Sequence, residues 1–102
     1  MRVLIEVFAT LQERLGWTTK YVEIDAEDIT LEDLIKGVRD LYDVISADLS
    51  EGLEGLLDNY LIFVNGVHAQ FRNGLKTVLR DGDKVSIFPP VAGGVSSEYI
   101  SY

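Results

Sequence analysis

Hydrophobic and polar residues alternate from Arg2 to Phe8, with Val3, Ile5 and Val7 on one face and Leu4, Glu6 and Phe8 on the other. A period of two predicts a strand that turns one face to a core. Thr10 and Glu13 have the spacing of a capping box and Gly16 stands as a stop, so a short helical turn carrying Leu11 and Leu15 follows. Tyr21 to Ile24 reads as a second strand, paired with the first as a hairpin. After Thr30 the period becomes helical: Leu31, Leu34, Ile35, Val38, Leu41 and Tyr42 form a single apolar stripe. Glu32 and Asp33 in the first turn suit the positive end of the helix dipole. Ile45, Leu49, Leu53 and Leu56 extend the pattern more weakly, and Gly52 and Gly55 predict a short or irregular piece there.

Tyr60 to Val64 reads as a strand buried on both faces, ending at Asn65-Gly66, the strongest short hairpin signal. Val67 to Phe71 is the expected return, and Asn73-Gly74 breaks the chain again. Asp81-Gly82 turns into a last strand, Lys84 to Phe88, with Val85 and Ile87 inward and Lys84 and Ser86 outward. The order is two strands, a crossing helix, then two or three strands. The helix permits a right-handed return that lays the last strand parallel beside the first. The expectation is an α+β domain over residues 1–90, a mixed sheet of four to five strands clasping one main helix: the β-grasp, or ubiquitin-like, architecture. Pro89 and Pro90 lead into an arm at residues 91–94 that ends on Gly93 and Gly94, and residues 95–102 form an extension expected to be removed or flexible. Two adjacent residues without Cβ can enter a channel too narrow for a side chain and carry a backbone carbonyl to a partner's active site.

Composition narrows the chemistry. At 102 residues the chain is one domain with enough length for a single core. Its longest apolar runs, such as Leu61 to Val64, fall far short of the roughly 20 residues that cross a bilayer. Glu6 interrupts the first apolar run and no small-residue cleavage site follows, so no signal peptide is expected and the cytoplasm is the expected location. The absence of cysteine excludes a disulfide framework, a thiolate metal site, a cysteine nucleophile and an iron–sulfur cluster. Net charge is −8 and uneven, because residues 23–58 hold 12 of the 17 acids and 2 of the 9 bases. Such a surface repels nucleic acid and anionic membrane, and neither is an expected partner. His68, the only histidine, lacks a second ligand and reads as a strand residue, so no metal site is expected. Trp17 reads as a packing residue beside the first hairpin.

Three blocks carry a family resemblance: Val3-Leu-Ile-Glu-Val-Phe-Ala-Thr-Leu-Gln-Glu-Arg-Leu-Gly16, Val64-Asn-Gly66, and Leu79-Arg-Asp-Gly-Asp-Lys-Val-Ser-Ile-Phe-Pro-Pro-Val-Ala-Gly-Gly94. In these the chain resembles the ubiquitin-like sulfur carriers, most of all the MoaD type, the small subunit of molybdopterin synthase. The extra length from Asp43 to Asp58 favours that branch over the shorter thiamin-pathway carriers. The resemblance implies no catalytic residue on this chain and no bound cofactor. It implies that Gly94 carries the acyl group: a ThiF-like adenylating enzyme activates its carboxylate with ATP, and a sulfur donor converts the acyl-adenylate to a thiocarboxylate. That sulfur goes to a pyranopterin inside a MoaE-like large subunit, where it helps to build the dithiolene. Pro89, Pro90, Val91, Ala92 and Gly93 become the tail inserted into the partner's channel. Phe88 becomes the aromatic position that docks partners, or else a core residue at a strand end. The prolines fix φ and bias Phe88 and Pro89 toward extended backbone, so the arm loses less entropy on docking.

Family carriers usually finish at the second glycine, whereas Val95-Ser-Ser-Glu-Tyr-Ile-Ser-Tyr102 follows here. The carrier reading therefore calls for a processing peptidase that cuts after Gly94. Two other classes stay open. One is a ubiquitin-like modifier that forms isopeptide bonds through Gly94, with Lys20, Lys36, Lys76 and Lys84 as acceptors on the chain itself. The other is a β-grasp interaction module without activation.

Overall fold

The structure, a computed structural model, describes residues 1–50 and 52–90. Arg2–Val7 forms β1, which buries Val3, Ile5 and Val7, and it pairs antiparallel with β2, Thr19–Glu23, in the expected hairpin. Between them α1, Thr10–Leu15, seats Leu11 in the core and stops at Gly16, which takes the left-handed conformation at φ 80°. The start of α1 departs from the capping box. Its N-cap is Ala9, at φ 54°, with no side-chain cap. Phe8 still donates its N–H to the Ile87 carbonyl at 3.2 Å, so the chain must reverse within Ala9, and Thr10 is already helical.

Asp28–Thr30 forms β3, and Thr30 then caps α2, Leu31–Gly37, by accepting the Asp33 N–H at 3.1 Å. The continuous helix expected from the apolar stripe is in fact two. Val38 is extended (φ −97°, ψ 96°), and α3 runs Arg39–Ala47. Gly37, the weakest helix former after proline, stands at the break. The Val38 N–H still reaches the Leu34 carbonyl at 3.2 Å and the Tyr42 N–H reaches Val38 at 2.9 Å, so both pieces share one buried stripe of Leu34, Ile35, Val38, Leu41 and Ile45. A 3-10 turn at Gly52–Gly55 and α4, Leu56–Asn59, add Leu53 and Leu56 to that core in the irregular form that the two glycines foretell.

Leu61–Val64 forms β4 and Val67–His68 forms β5, joined through Asn65 (φ 51°) and Gly66 (φ 84°), the two positive φ values of a type I′ turn. The return strand is shorter than expected, because after His68 the chain winds into a 3-10 turn, Ala69–Phe71, capped by the His68 ring accepting the Gln70 N–H. Nor is β4 buried on both faces. Ile62 and Val64 are buried, Phe63 is half-buried and Leu61 is 49% exposed, because the helices cover only one side of the sheet. Val78–Arg80 forms β6, which pairs with β3 in a separate two-stranded sheet that three-residue strands could not announce by alternation.

Lys84–Phe88 forms β7, which enters the middle of the main sheet, in the order β2-β1-β7-β4-β5. It runs parallel to β1 and antiparallel to β4, as the crossing helix allows. Val3, Ile5, Ile62, Val85 and Ile87 meet the helical stripe in one core. The fold is the expected β-grasp, with five strands in its mixed sheet.

Two polar clusters fasten the helices to the rest. Trp17 packs half-buried, and its indole N–H donates to Asp40 at 2.8 Å while the Lys20 ammonium lies 4.7 Å from its ring centre. Burial pushes the Asp40 carboxyl up, but hydrogen bonds from Trp17 and the Leu41 N–H, with the Lys20 charge, hold it below its ordinary range. The buried Tyr60 donates its hydroxyl to Asp48 Oδ2 at 2.6 Å, and Arg14 donates to the same oxygen at 2.8 Å. The Tyr60 hydrogen bond first, then Arg14, lowers the Asp48 carboxyl. A depressed carboxylate stabilises the fold above its unfolded pKa, about 3.9, and that contribution is lost as pH falls through the folded value. Tyr60→Phe is therefore expected to cost about 1–2 kcal/mol at pH 7 in urea unfolding, since it removes a bond to a charged acceptor. It should also flatten the loss of stability below about pH 4; an acid slope equal to that of the unaltered chain would refute the linkage.

Candidate functional site: the outer face of the sheet

The alternation that fills the core also writes the opposite face. β7 turns Lys84, Ser86 and Phe88 outward, β4 contributes Leu61 and Phe63, and β1 contributes Leu4 and Glu6 before the chain reaches Phe8. In the parallel register Val7 lies opposite Ile87, which brings the next residues, Phe8 and Phe88, side by side. Their rings stack with centroids 4.1 Å apart and planes 4° apart. Phe88 lies opposite Leu61 and meets Phe63 edge-on at 5.8 Å. Phe63 lies opposite His68 across the β4–β5 hairpin, with rings 5.4 Å apart, and His68 meets Phe71 at 5.7 Å. An unbroken aromatic row thus runs from Phe8 to Phe71.

Part of this row is left to water. Phe71 is 85% exposed, and Leu61, on the same face, is about half exposed. Beside the row, Glu6 and Lys84 form an ion pair at 3.2 Å, and together with Phe8, Phe63, Ser86 and Phe88 they line a shallow depression of about 620 Å³. A wide, shallow surface with aromatic anchors and a charged border has the make-up of a protein interface, where such residues carry most of the binding energy. Among the described residues, no three His, Asp or Glu side chains gather where they could hold a metal ion, and every buried side-chain polar atom has a hydrogen-bond partner.

Phe88 is half-buried on this outer face, between Phe8 and Phe63, and so is not a core residue. Pro89 is half-buried and Pro90 exposed; Val91, Ala92, Gly93 and Gly94 lie outside the described residues. Phe8, Phe63, His68 and Phe71 belong to the row but do not stand out in the sequence as site residues. The parity of β1 places Phe8 with Glu6, off the core, and that was the available signal. Phe63 was hidden by the reading of β4 as buried on both faces.

The model of the ThiS family matches residues 5–94. This chain belongs to the ThiS family. It is a small ubiquitin-like protein of the ThiS/MoaD type, the group of sulfur carriers and related modifiers. Small archaeal modifier protein 3 of Haloferax volcanii is 35% identical over 94 residues, covering 92% of this chain and all of that protein. A protein of Archaeoglobus fulgidus named as a sulfur carrier is 43% identical over 76 residues, covering 72% of this chain and 83% of its own length. Among solved structures, a Pyrococcus furiosus protein named for subunit 1 of a molybdopterin converting factor superposes with a TM-score of 0.66 at 26% identity. That match covers 89% of this chain and 99% of the other. Among the described residues of the ThiS-family chain no helix is long and apolar enough to cross a membrane.

Aromatic stacking on the sheet makes a measurable claim. A double-mutant cycle of Phe8→Ala and Phe88→Ala, read by urea unfolding, is expected to show a coupling of about 0.5–1.5 kcal/mol. Phe71→Ala should change stability by less than about 0.5 kcal/mol, because that ring is almost wholly in water. Zero coupling in the cycle would mean that the stack contributes only buried area.

Proposed function

We propose that this protein is a MoaD-like sulfur carrier, the small subunit of a molybdopterin synthase, with Gly94 as its acyl-carrying residue. The observation that carries the reading is continuity: the aromatic row ends on Phe88 of β7, and Pro89 and Pro90 follow directly into the diglycine segment. A partner docked on the row therefore stands at the root of the arm. Further support comes from the family match, which runs to Gly94, and from the likeness to the Pyrococcus furiosus protein.

In this reading a peptidase first removes residues 95–102, which frees the Gly94 carboxylate. A carboxylate is a poor electrophile because its charge repels nucleophiles. A ThiF-like partner transfers AMP to it from ATP, releasing pyrophosphate. Sulfide attacks the acyl carbon and expels AMP, leaving the thiocarboxylate; a persulfide donor gives an acyl disulfide that a thiol then cleaves to the same product. The arm, Pro89 through Gly93, passes into the channel of a MoaE-like large subunit, where the sulfur is handed to the pyranopterin. Exclusion of water there protects the thiocarboxylate from hydrolysis. This chain contributes position: Phe88 and its neighbours bind, the prolines limit the arm's freedom, and the glycines let the backbone pass.

A second reading has its own support, the 35% identity to a protein named as a modifier. In it the Gly94 acyl-adenylate is passed to a lysine amine as an isopeptide bond. On the chain itself, Lys20 pairs with Asp40, Lys36 and Lys76 pair with Glu32, and Lys84 pairs with Glu6. Each of these ammonium groups would have to leave its carboxylate before losing a proton and attacking.

Intact mass spectrometry of the chain from its native cells tests the proposal. A species ending at Gly94 and heavier by the difference between sulfur and oxygen is expected, and Gly94→Ala should abolish it without moving the unfolding midpoint. A Gly94→Ala chain that still acquires sulfur would overturn the assignment. Covalent attachment to larger proteins, lost in Gly94→Ala, would favour the modifier. Phe88→Ala is expected to weaken docking of the adenylating partner by about 1–3 kcal/mol.

A further inference from the structure

At the border of the sheet farthest from β5, the strand β2 has no partner on its outer side among the described residues. The Val7 N–H donates to the Thr18 carbonyl and the Ile24 N–H to the Met1 carbonyl, so residues 18, 20, 22 and 24 direct their backbone groups toward β1. By alternation, Thr19, Tyr21 and Glu23 turn their N–H and C=O groups away from the sheet. The register with β1 is regular over all five residues and contains no proline. A strand edge of this kind is a template for a further strand.

A groove runs along the same edge, between β2 and the junction of α2 with α3. It consists of two adjoining depressions, about 600 and 240 Å³, that share Val22, Glu23, Gly37 and Val38. Ile24, Ile29 and Leu34 extend the apolar lining. Gly37 keeps it open. Its φ is outside the left-handed range and an added Cβ would meet no atom within 4 Å, so neither backbone nor packing demands a glycine that costs a helix about 1 kcal/mol. The rim is acidic: Asp33 stands at one end, Asp40 and Asp43 at the other, and the bases that line it are Lys20, itself paired with Asp40, and Arg39.

We propose that β2 and this groove take up an extended segment of a partner protein as an added strand, its inward side chains apolar and its flanks basic. The exposed edge supplies main-chain hydrogen bonds, the groove beside Gly37 receives alternate side chains, and the acidic rim selects lysine or arginine at the ends. A second copy of this chain is the poorer occupant, because it would set two acidic rims against each other. The groove lies on the helix side of the sheet, so a partner bound there leaves the aromatic row free.

The test is a titration of the nitrogen-15-labelled full-length chain with the peptide acetyl-Lys-Lys-Val-Ile-Val-Ile-Lys-amide, followed by amide shifts and hydrogen exchange. The Thr19, Tyr21 and Glu23 amides are expected to shift and to gain protection, while those of Phe63 and Phe71 stay fixed. Gly37→Leu should weaken binding at least about tenfold with no lower unfolding midpoint, since leucine is the better helix former. The same peptide with glutamate in place of lysine should bind more weakly. No response at β2, a response centred on the Phe88 face, or equal affinity for Gly37→Leu would overturn the proposal. So would β2 shifts that grow with protein concentration alone, which would identify a second copy as the occupant.

Discussion

Strands from opposite ends of the described chain, β1 and β7, pair in parallel at the centre of the sheet, and the remaining architecture follows from that contact. Its register is pinned at the entry to β7. Asp81 accepts the Arg2 N–H at 2.8 Å, Gly82 donates to the Arg2 carbonyl at 2.8 Å, and the Asp83 carbonyl accepts the Leu4 N–H at 3.0 Å. The Asp83 carboxylate also binds the Arg80 N–H and the Asn65 side chain, which ties the β4–β5 turn to the same point. A slip of one residue would send Val85 and Ile87 to the outer face and Phe88 into the core. The turn therefore sets both the core and the aromatic row.

The sheet's two faces do different work because the helices can cover only one. Toward them, aliphatic side chains close a core in which, among the described residues, Tyr60 is the one large polar side chain, its hydroxyl satisfied by Asp48. On the other side many of the apolar residues are aromatic and partly in water, which is costly for a free monomer and useful for one that spends time bound. β7 contributes to both arrangements, and it is also the strand from which the chain leaves toward Gly93 and Gly94. In the proposed carrier reading, this arrangement sets the root of the arm, at Pro89, beside the docking face.

Charge is distributed to match. Around the outer face acid and base are balanced, as in the Glu6–Lys84 pair, whereas the helical side carries most of the acids. Several of those acids have structural partners: Glu32 holds both Lys36 and Lys76, Asp40 holds Trp17 and Lys20, and Asp48 holds Arg14 and Tyr60. Asp33 and Asp43 enter no ion pair among the described residues, and both line the groove beside β2.

Period-two alternation in Arg2 to Phe8 and Lys84 to Phe88, the Asn65-Gly66 turn and the helix that starts after Thr30 are local signals, and each appears in the fold where the sequence places it. The diglycine at Gly93 and Gly94 is legible in the sequence as well, and the family match runs across it, but both residues lie outside the described ones. The β3–β6 pair and the loss of the Thr10 cap were not legible, because each is decided by a contact with a distant segment: Ile29 pairing with Leu79, and Phe8 held to Ile87. The aromatic row lay beyond the sequence for the same reason. Phe8, Phe63, Phe71 and Phe88 are scattered along the chain, and no spacing links them. The sequence determined which residues alternate and where the chain turns, since those are properties of neighbours. Only the tertiary structure decided which apolar face would be covered, because that depends on the helices packing on a single side.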